Sequence, residues 1–228
     1  MRRNLAEKIG YGEYSYVALN DLDRKLERYL DKDGGFFIEA GANDGLAQSN
    51  TYYFEKIRGW TGILIEAIPD LAKQCNRRRR KSMVVNAALV DDHFSSPEIE
   101  ISYAGLMSAV RGSFATQEMA DHHLEQGLQV QRIERTYTIN VQALTLTAIL
   151  DRFTFSQEID LLSLDVEGYE ANALRGLNFD KYRPRYLCIE VRDKGAIDNL
   201  LAGHYREVEV LFACDTYRDV LYERIGQA

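Results

Sequence analysis

Proline, cysteine, long apolar runs and surplus positive charge are all scarce in this chain of 228 residues. Only three prolines occur (Pro69, Pro97, Pro184), and no Ser/Gly-rich linker interrupts the sequence. A string of separate domains is therefore not expected, and one domain with an internal insertion is the simplest parse. The three cysteines, Cys75, Cys188 and Cys214, share no CxxC or metal-ligand spacing. That pattern excludes a disulfide framework and reads as reduced, buried thiols in a cytoplasm. No stretch approaches the ~18 apolar residues that a membrane helix needs. Arg2 and Arg3 are followed by no apolar segment, so neither a span nor a secretory leader is expected. The charge sum is 28 Lys and Arg against 35 Asp and Glu, a net −7. Phosphate contacts need a basic surface, so a nucleic-acid partner is not expected.

What is present is an ordinary globular composition, 46% hydrophobic, 11% aromatic and 28% charged. Short apolar runs alternate with helix-like stretches, the pattern of βαβ units around a parallel sheet. Leu19 to Leu30 carries a helical stripe, which assigns residues 1–34 to an N-terminal helical segment and 35–228 to the main domain. Gly35 to Ala40 (GFFIEA), Gly62 to Ala67 (GILIEA), Met83 to Leu89 (MVVNAAL), Ile159 to Val166 (IDLLSLDV) and Arg185 to Val191 (RYLCIEV) read as five successive strands. A helix over Tyr52 to Ile57 separates the first two. Tyr205 to Phe212 and Val220 to Ile225 read as an antiparallel hairpin. The near-continuous apolar character of strands one, two and four predicts burial on both faces. About seventy residues separate strands three and four, more than a crossover needs. Within them Glu98 to Tyr103 and Arg135 to Val141 alternate like exposed strands, Thr116 to Gln126 reads as a polar helix, and Leu144 to Phe153 as the crossover helix. Residues 92–143 are therefore expected to form a substrate-side insertion. Its exposed strands offer a route to a homo-oligomer.

Three segments carry candidate chemistry. After the first strand comes Glu39-Ala40-Gly41-Ala42-Asn43-Asp44-Gly45, where glycines permit a tight turn and close approach of a nucleotide. The spacing is E-x-G-x-N-x-G rather than GxGxxG, and an ordinary βα turn would also use two glycines. Glu66, ending the second strand, suits the two hydroxyls of a ribose, or is an exposed carboxylate at a helix start. Leu164-Asp165-Val166-Glu167-Gly168-Tyr169-Glu170 sets Asp165 and Glu167 at the carboxyl edge of the sheet, beside the first strand, where open α/β sheets bind ligands. Glu170 reads as a helix N-terminal acid.

These residues resemble the FkbM-type family of S-adenosylmethionine-dependent methyltransferases. The likeness runs through FFIEAGANDGLAQSNTYYFEK, WTGILIEAIP, VNAALVDD and IDLLSLDVEGYEANALRGL, from about Phe36 to Leu177. It implies a Rossmann-like class I fold: a seven-stranded, mostly parallel sheet with a reversed terminal strand and helices on both faces. It also implies that S-adenosyl-L-methionine is the cofactor. On this resemblance Glu39, Gly41, Asn43 and Gly45 surround the methionine moiety, with Glu39 standing where many relatives have Asp. Ser49, Asn50 and Thr51 fall on the following helix and meet the amino-acid carboxylate. Glu66 binds the ribose, and Asn86, Ala87 and Ala88 lie near the adenine. Asp165 and Glu167 face the transferred methyl.

The implied reaction moves a methyl from sulfur to a hydroxyl of a small molecule or glycan, in sugar or polyketide-like chemistry. An aliphatic hydroxyl needs a proton acceptor, and Asp165, Glu167 and Glu190 are the candidates. The same three acids could hold Mg²⁺, a reading that ranks below direct base catalysis. A NAD-dependent oxidoreductase is the competing enzyme reading, opposed by the missing GxGxxG. A non-catalytic nucleotide-binding or scaffold protein of the same fold is the other, opposed by the intact Asp165-Val166-Glu167 block. Arg77 to Lys81 (RRRRK) reads as a solvated helix end. His122 and His123 read as surface residues and His204 as structural.

Overall fold

The computed structural model describes residues 2–110, 116–131, 136–154 and 158–226. The chain opens with α1 (Arg2–Lys8) and α2 (Leu22–Glu27). The latter is shorter than the stripe from Leu19 predicts. The buried Asp23 carboxylate accepts the backbone N–H groups of Val17 and Ala18 (2.8 and 3.0 Å), and Asn20 and Asp21 take left-handed backbone, so the chain turns before the helix can start.

The main domain begins with β1 (Phe36–Ala40), α3 (Tyr52–Lys56), β2 (Thr61–Glu66) and α4 (Pro69–Arg78). β1 is buried at all five positions and β2 at five of six, as two-sided packing requires. Alternate residues feed opposite cores. Ile38 and Ile63 face one apolar cluster and Phe37 and Leu64 the other, which also holds the single tryptophan, Trp60.

The apolar run from Met83 does not stay in one sheet. It divides into β3 (Met83–Asn86) and β4 (Ala88–Leu89). The Asn86 side-chain amide donates to the carbonyls of Glu66 and Ala67 (both 2.8 Å), and the chain leaves the main sheet at Ala87. The insertion then contributes β5 (Glu98–Tyr103), β6 (Ala109–Val110), α5 (Gln117–Gln131) and β7 (Tyr137–Leu144). The two alternating segments do form strands, but β5 and β7 pair antiparallel with each other. Ile99, Ile101, Val141 and Ala143 bury one face against Ile68 of the main domain. Arg135, the first residue of the second segment, lies outside the described residues. α5 comes within contact of the Ala104–Met107 turn, where any Cβ on Gly127 would sit 2.8 Å from the Ala104 carbonyl oxygen.

The crossover helix α6 (Leu146–Leu150) is short because β7 runs to Leu144 and Thr145 caps it, its hydroxyl accepting from the Ala148 N–H at 3.0 Å. The second half follows as β8 (Leu161–Leu164), α7 (Glu170–Arg175), β9 (Tyr186–Val191), α8 (Lys194–Leu201), β10 (Tyr205–Ala213) and β11 (Arg218–Arg224).

The main sheet has the order β10-β11-β9-β8-β1-β2-β3. β3, β2, β1, β8 and β9 are mutually parallel, and β11 runs antiparallel to both of its neighbours. This is the expected Rossmann-like α/β fold, a seven-stranded, mostly parallel sheet with one reversed strand. The chain order reverses between β1 and β8, so the connections that follow their carboxyl ends part and leave the crevice where such sheets bind ligands. The smaller sheet, β4-β7-β5-β6, stands beside that crevice. Among the described residues no helix is long and apolar enough to cross a membrane.

Candidate functional site

A cleft opens at this edge, with about 860 Å³ of empty space including the part open to solvent. Its floor is the β1–β8 divide. Gly41 has a φ of +83°, and a Cβ there would lie 1.9 Å from the Asp165 carbonyl oxygen, so only glycine allows the two strand ends to meet. Asn43, Gln48 and Glu167 also take left-handed backbone, and all three line the cleft. Such clustering of strained conformers marks a binding site more often than a purely structural turn.

Glu66 forms one end. Its buried carboxylate accepts the Asn43 N–H and the Ile68 N–H, both at 2.7 Å. Burial outweighs these bonds and pushes its pKa up to about 7. Around it Ala67, Ile68, Leu71, Ala87, Ala88 and Leu89 make an apolar pocket, completed by Ile101 and Val110 from the insertion. Asn86, expected near the adenine, is exposed and directs its amide onto backbone carbonyls instead.

Five of the residues expected to bind cofactor stand behind the cleft wall. Glu39 points to the α3 side of the sheet, where its carboxylate accepts the Ser49 hydroxyl (2.9 Å), the Asn50 N–H (2.9 Å) and the Thr51 hydroxyl (2.5 Å). Ser49, Asn50 and Thr51 are not on the helix but in the turn before α3. The Asn50 amide donates to the Ser163 hydroxyl at 3.0 Å. Gly45, with a φ of +79°, lies against Arg79 and Cys75. By contrast Gly41, Asn43, Glu66, Ala87, Asp165 and Glu167 all line the cleft.

The opposite end is crowded with acids. Asp165 is open to the cleft but enclosed on its other sides. Burial, then the neighbouring Glu167 and Glu170, hold its pKa well above the usual carboxylate range. Glu190, at the end of β9, is pushed up to about 11 by burial and by Asp165. Glu167 meets the Arg192 guanidinium at 2.8 Å, and Arg192 reaches Glu190 at 2.6 Å. Glu170 is more than a helix-start charge. Its Oε1 accepts the N–H groups of Val166 and Gly168 (2.9 and 3.0 Å), which folds the D-V-E-G turn and sets Glu167 and Gly168 in left-handed backbone. Burial raises its pKa to about 7. Carboxylate oxygens of Asp165, Glu170 and Glu190 come within 4.8 Å of one another, so the set able to share a cation includes Glu170 rather than Glu167. Arg192 already answers part of this charge.

Sequence reasoning missed three participants. His123 is not a surface residue. It is 5% exposed, and its Nε2 lies 3.2 Å from the Glu167 carboxylate, because α5 lies over the acidic edge. No local signal marked it, whereas Arg192 had one, a cation directly after the Glu190-Val191 strand end. Arg79 breaks the expectation of a solvated basic run. It is fully buried, while Arg77, Arg78, Arg80 and Lys81 are exposed. Cys214 also departs from expectation, being exposed, whereas Cys75 and Cys188 are buried.

No curated protein matches the chain. Solved structures of similar shape include a SAM-dependent methyltransferase from Aquifex aeolicus (13% identity, 98% of each chain covered, TM-score 0.48). Another is a TehB-like SAM-dependent methyltransferase from Corynebacterium glutamicum (12% identity, 90% of this chain and 88% of that one, TM-score 0.43). A third is Aeropyrum pernix fibrillarin with natively bound S-adenosyl-L-methionine (14% identity, 84% of this chain and 67% of that one, TM-score 0.43). The model of the methyltransferase FkbM domain matches residues 39–214, from the acid before the glycine turn to the loop after β10. With most of its length matched, the chain belongs to the FkbM methyltransferase family.

Proposed function

We propose that this methyltransferase moves a methyl group from S-adenosyl-L-methionine to a hydroxyl oxygen of a sugar, glycan or polyketide-like small molecule. The observation that carries the reading is the two-ended cleft. One end is an apolar pocket closed by Glu66, the other a group of carboxyls with raised pKa values, and the Cβ-free Gly41 lies between them.

The residues present fit the cofactor. Gly41 lets the ends of β1 and β8 meet at the cleft floor, Glu66 retains lone pairs for ribose hydroxyls, and Ala87, Ala88 and Leu89 offer apolar surface to an adenine. S-adenosyl-L-methionine supplies, when bound, a methyl on a positively charged sulfur that leaves readily. Gly41 and Asn43 are assigned to the methionine moiety. Glu39, Ser49, Asn50 and Gly45 serve it from behind by fixing the turn.

Asp165 is assigned as the proton acceptor. A carboxylate held above its usual range is a stronger base, and a positioned base typically contributes about 10²–10⁴ in rate. Glu190, raised like Asp165 by burial and by the acid beside it, is the second candidate for the proton. Glu167, tied to Arg192, orients rather than accepts. Residues 35–228 carry the transferase, and the insertion at 92–143 forms the acceptor side, a division supported by His123 of α5, whose Nε2 lies 3.2 Å from the Glu167 carboxylate at the acidic end. Direct base catalysis ranks above Mg²⁺ assistance because Arg192 already lies against Glu190.

Calorimetric titration with S-adenosyl-L-methionine and, separately, NAD tests the cofactor. Micromolar binding of the sulfonium compound alone, lost in Glu66→Ala, is expected. Binding of NAD instead contradicts the reading. Turnover unaffected by EDTA is the result expected of direct base catalysis, and its abolition would favour the cation.

A further inference from the structure

We infer that Arg79 is a positioning residue for the cofactor turn, an internal strut that sets cofactor affinity without lining the cleft. The inference rests on the functional reading above and names how that site is held. Arg79 follows the last turn of α4 and is 0% exposed. Its guanidinium reaches the turn at three separated points. Nη1 donates to the Gly45 carbonyl (3.3 Å) and the Ser49 hydroxyl (2.9 Å), and Nη2 to the Thr51 hydroxyl (2.8 Å). The Ser49 and Thr51 hydroxyls in turn donate hydrogen bonds to the Glu39 carboxylate, whose Oε2 lies 3.6 Å from Nη1. Nε donates to Glu55 at 2.9 Å, and Ser82 donates to the same Glu55 oxygen at 2.5 Å.

This arrangement uses what a guanidinium has and an ammonium lacks, a flat, always-charged fork with donors pointing in fixed directions. One fork joins the start of the turn to its end, so residues 45–51 cannot shift without breaking charge-assisted bonds in a dry interior. The Arg79 stem explains Gly45 as well. A Cβ there would come within 2.8 Å of Arg79 Cγ and 2.9 Å of Cys75 Sγ. The turn segment so braced runs directly into the cleft wall, through Ala47 and Gln48. A bland alternative treats the cluster as core support that contributes to stability alone. The two differ in where the damage of a mutation appears.

The test is Arg79→Lys in the full chain, read by calorimetric affinity for S-adenosyl-L-methionine, steady-state kinetics and amide hydrogen exchange. The Lys variant keeps the charge and loses the fork. Misplacement of a cofactor cradle by a fraction of an ångström to about 1 Å can cost up to ~100-fold, so a cofactor KM raised tenfold or more is expected. The acceptor KM and kcat at saturating cofactor should stay within about twofold of the parent. Amides of 45–51 should exchange faster, with those of β9 and β10 unchanged. Uniformly faster exchange, or unchanged cofactor affinity in a folded variant, overturns the inference. Thr51→Val keeps the side-chain shape, severs one arm of the fork, and decides the matter if Arg79→Lys does not fold. Should the parent protein bind no S-adenosyl-L-methionine, the functional reading fails, and exchange in residues 45–51 still decides the role of Arg79.

Discussion

The two flanks of the cleft handle buried charge in opposite ways. Behind the glycine turn, Glu39 and Glu55 share the fully buried Arg79 with the Ser49 and Thr51 hydroxyls, and the carboxylates and the guanidinium there all have partners. At the other flank Asp165, Glu167, Glu170 and Glu190 crowd around Arg192, and burial raises three of their pKa values. The first arrangement minimises electrostatic conflict and holds geometry. The second stores conflict as displaced proton affinity, which is what acid–base chemistry uses. Binding and reaction thus fall to differently built walls of one crevice, joined at Gly41.

Breaking that junction should have the largest effect. Gly41→Ala forces a Cβ into the Asp165 carbonyl at a left-handed φ, and overpacking with backbone strain should cost roughly 2–6 kcal/mol. Denaturant unfolding followed by Trp60 fluorescence measures it. Next, Glu55→Ala leaves the Arg79 guanidinium short of its direct carboxylate partner in the interior, a loss of about 3–5 kcal/mol by the same measurement. A matching truncation of an exposed ion pair, Asp70→Ala against Lys73, should change stability by less than about 1 kcal/mol.

Buried acids at both ends of the cleft should show themselves in pH dependence. Glu170 and Glu66 are raised to about 7 and Asp219 to about 6, each by burial, while the unfolded chain titrates them near ordinary values. The folded protein therefore binds more protons between about pH 4.5 and 7. Stability from these groups is complete below that window and is lost as pH rises through it, by roughly 3 kcal/mol at most for each of the two glutamates. The melting temperature should fall from about pH 5.5 to pH 8, and Glu170→Gln should flatten the slope. Glu55 runs the other way. Its pKa is lowered because Arg79, Ser82 and Lys56 outweigh burial, so its contribution is lost only as pH falls below the usual carboxylate range. The smallest effect belongs to the solvated basic residues, where Arg77→Ala should stay within about 0.5 kcal/mol and leave cofactor affinity unchanged.

The sheet was legible because Phe36–Ala40, Thr61–Glu66, Leu161–Leu164 and Tyr186–Val191 are apolar on both faces, a pattern set by local chemistry. Gly41, Glu66 and Asp165 were legible for a related reason, since strand ends in such a sheet converge wherever the sequence ends its apolar runs. Arg79 was not. Its neighbours in the run are solvated, and only the end of α4 over the Gly45–Thr51 turn draws one of them inward. His123 was hidden because its approach to Glu167 depends on how the insertion folds back, a contact spanning more than forty residues. The break at Ala87 was missed for the same kind of reason. β4 takes its place from pairing with β7, far along the chain.

The most direct test of the division between binding and reacting flanks is methyl transfer to a panel of hydroxyl acceptors by Asp165→Asn, with cofactor affinity measured on the same protein. The account predicts turnover lowered by about 10²–10⁴ with cofactor affinity within about tenfold of the parent. Turnover equal to the parent would contradict it.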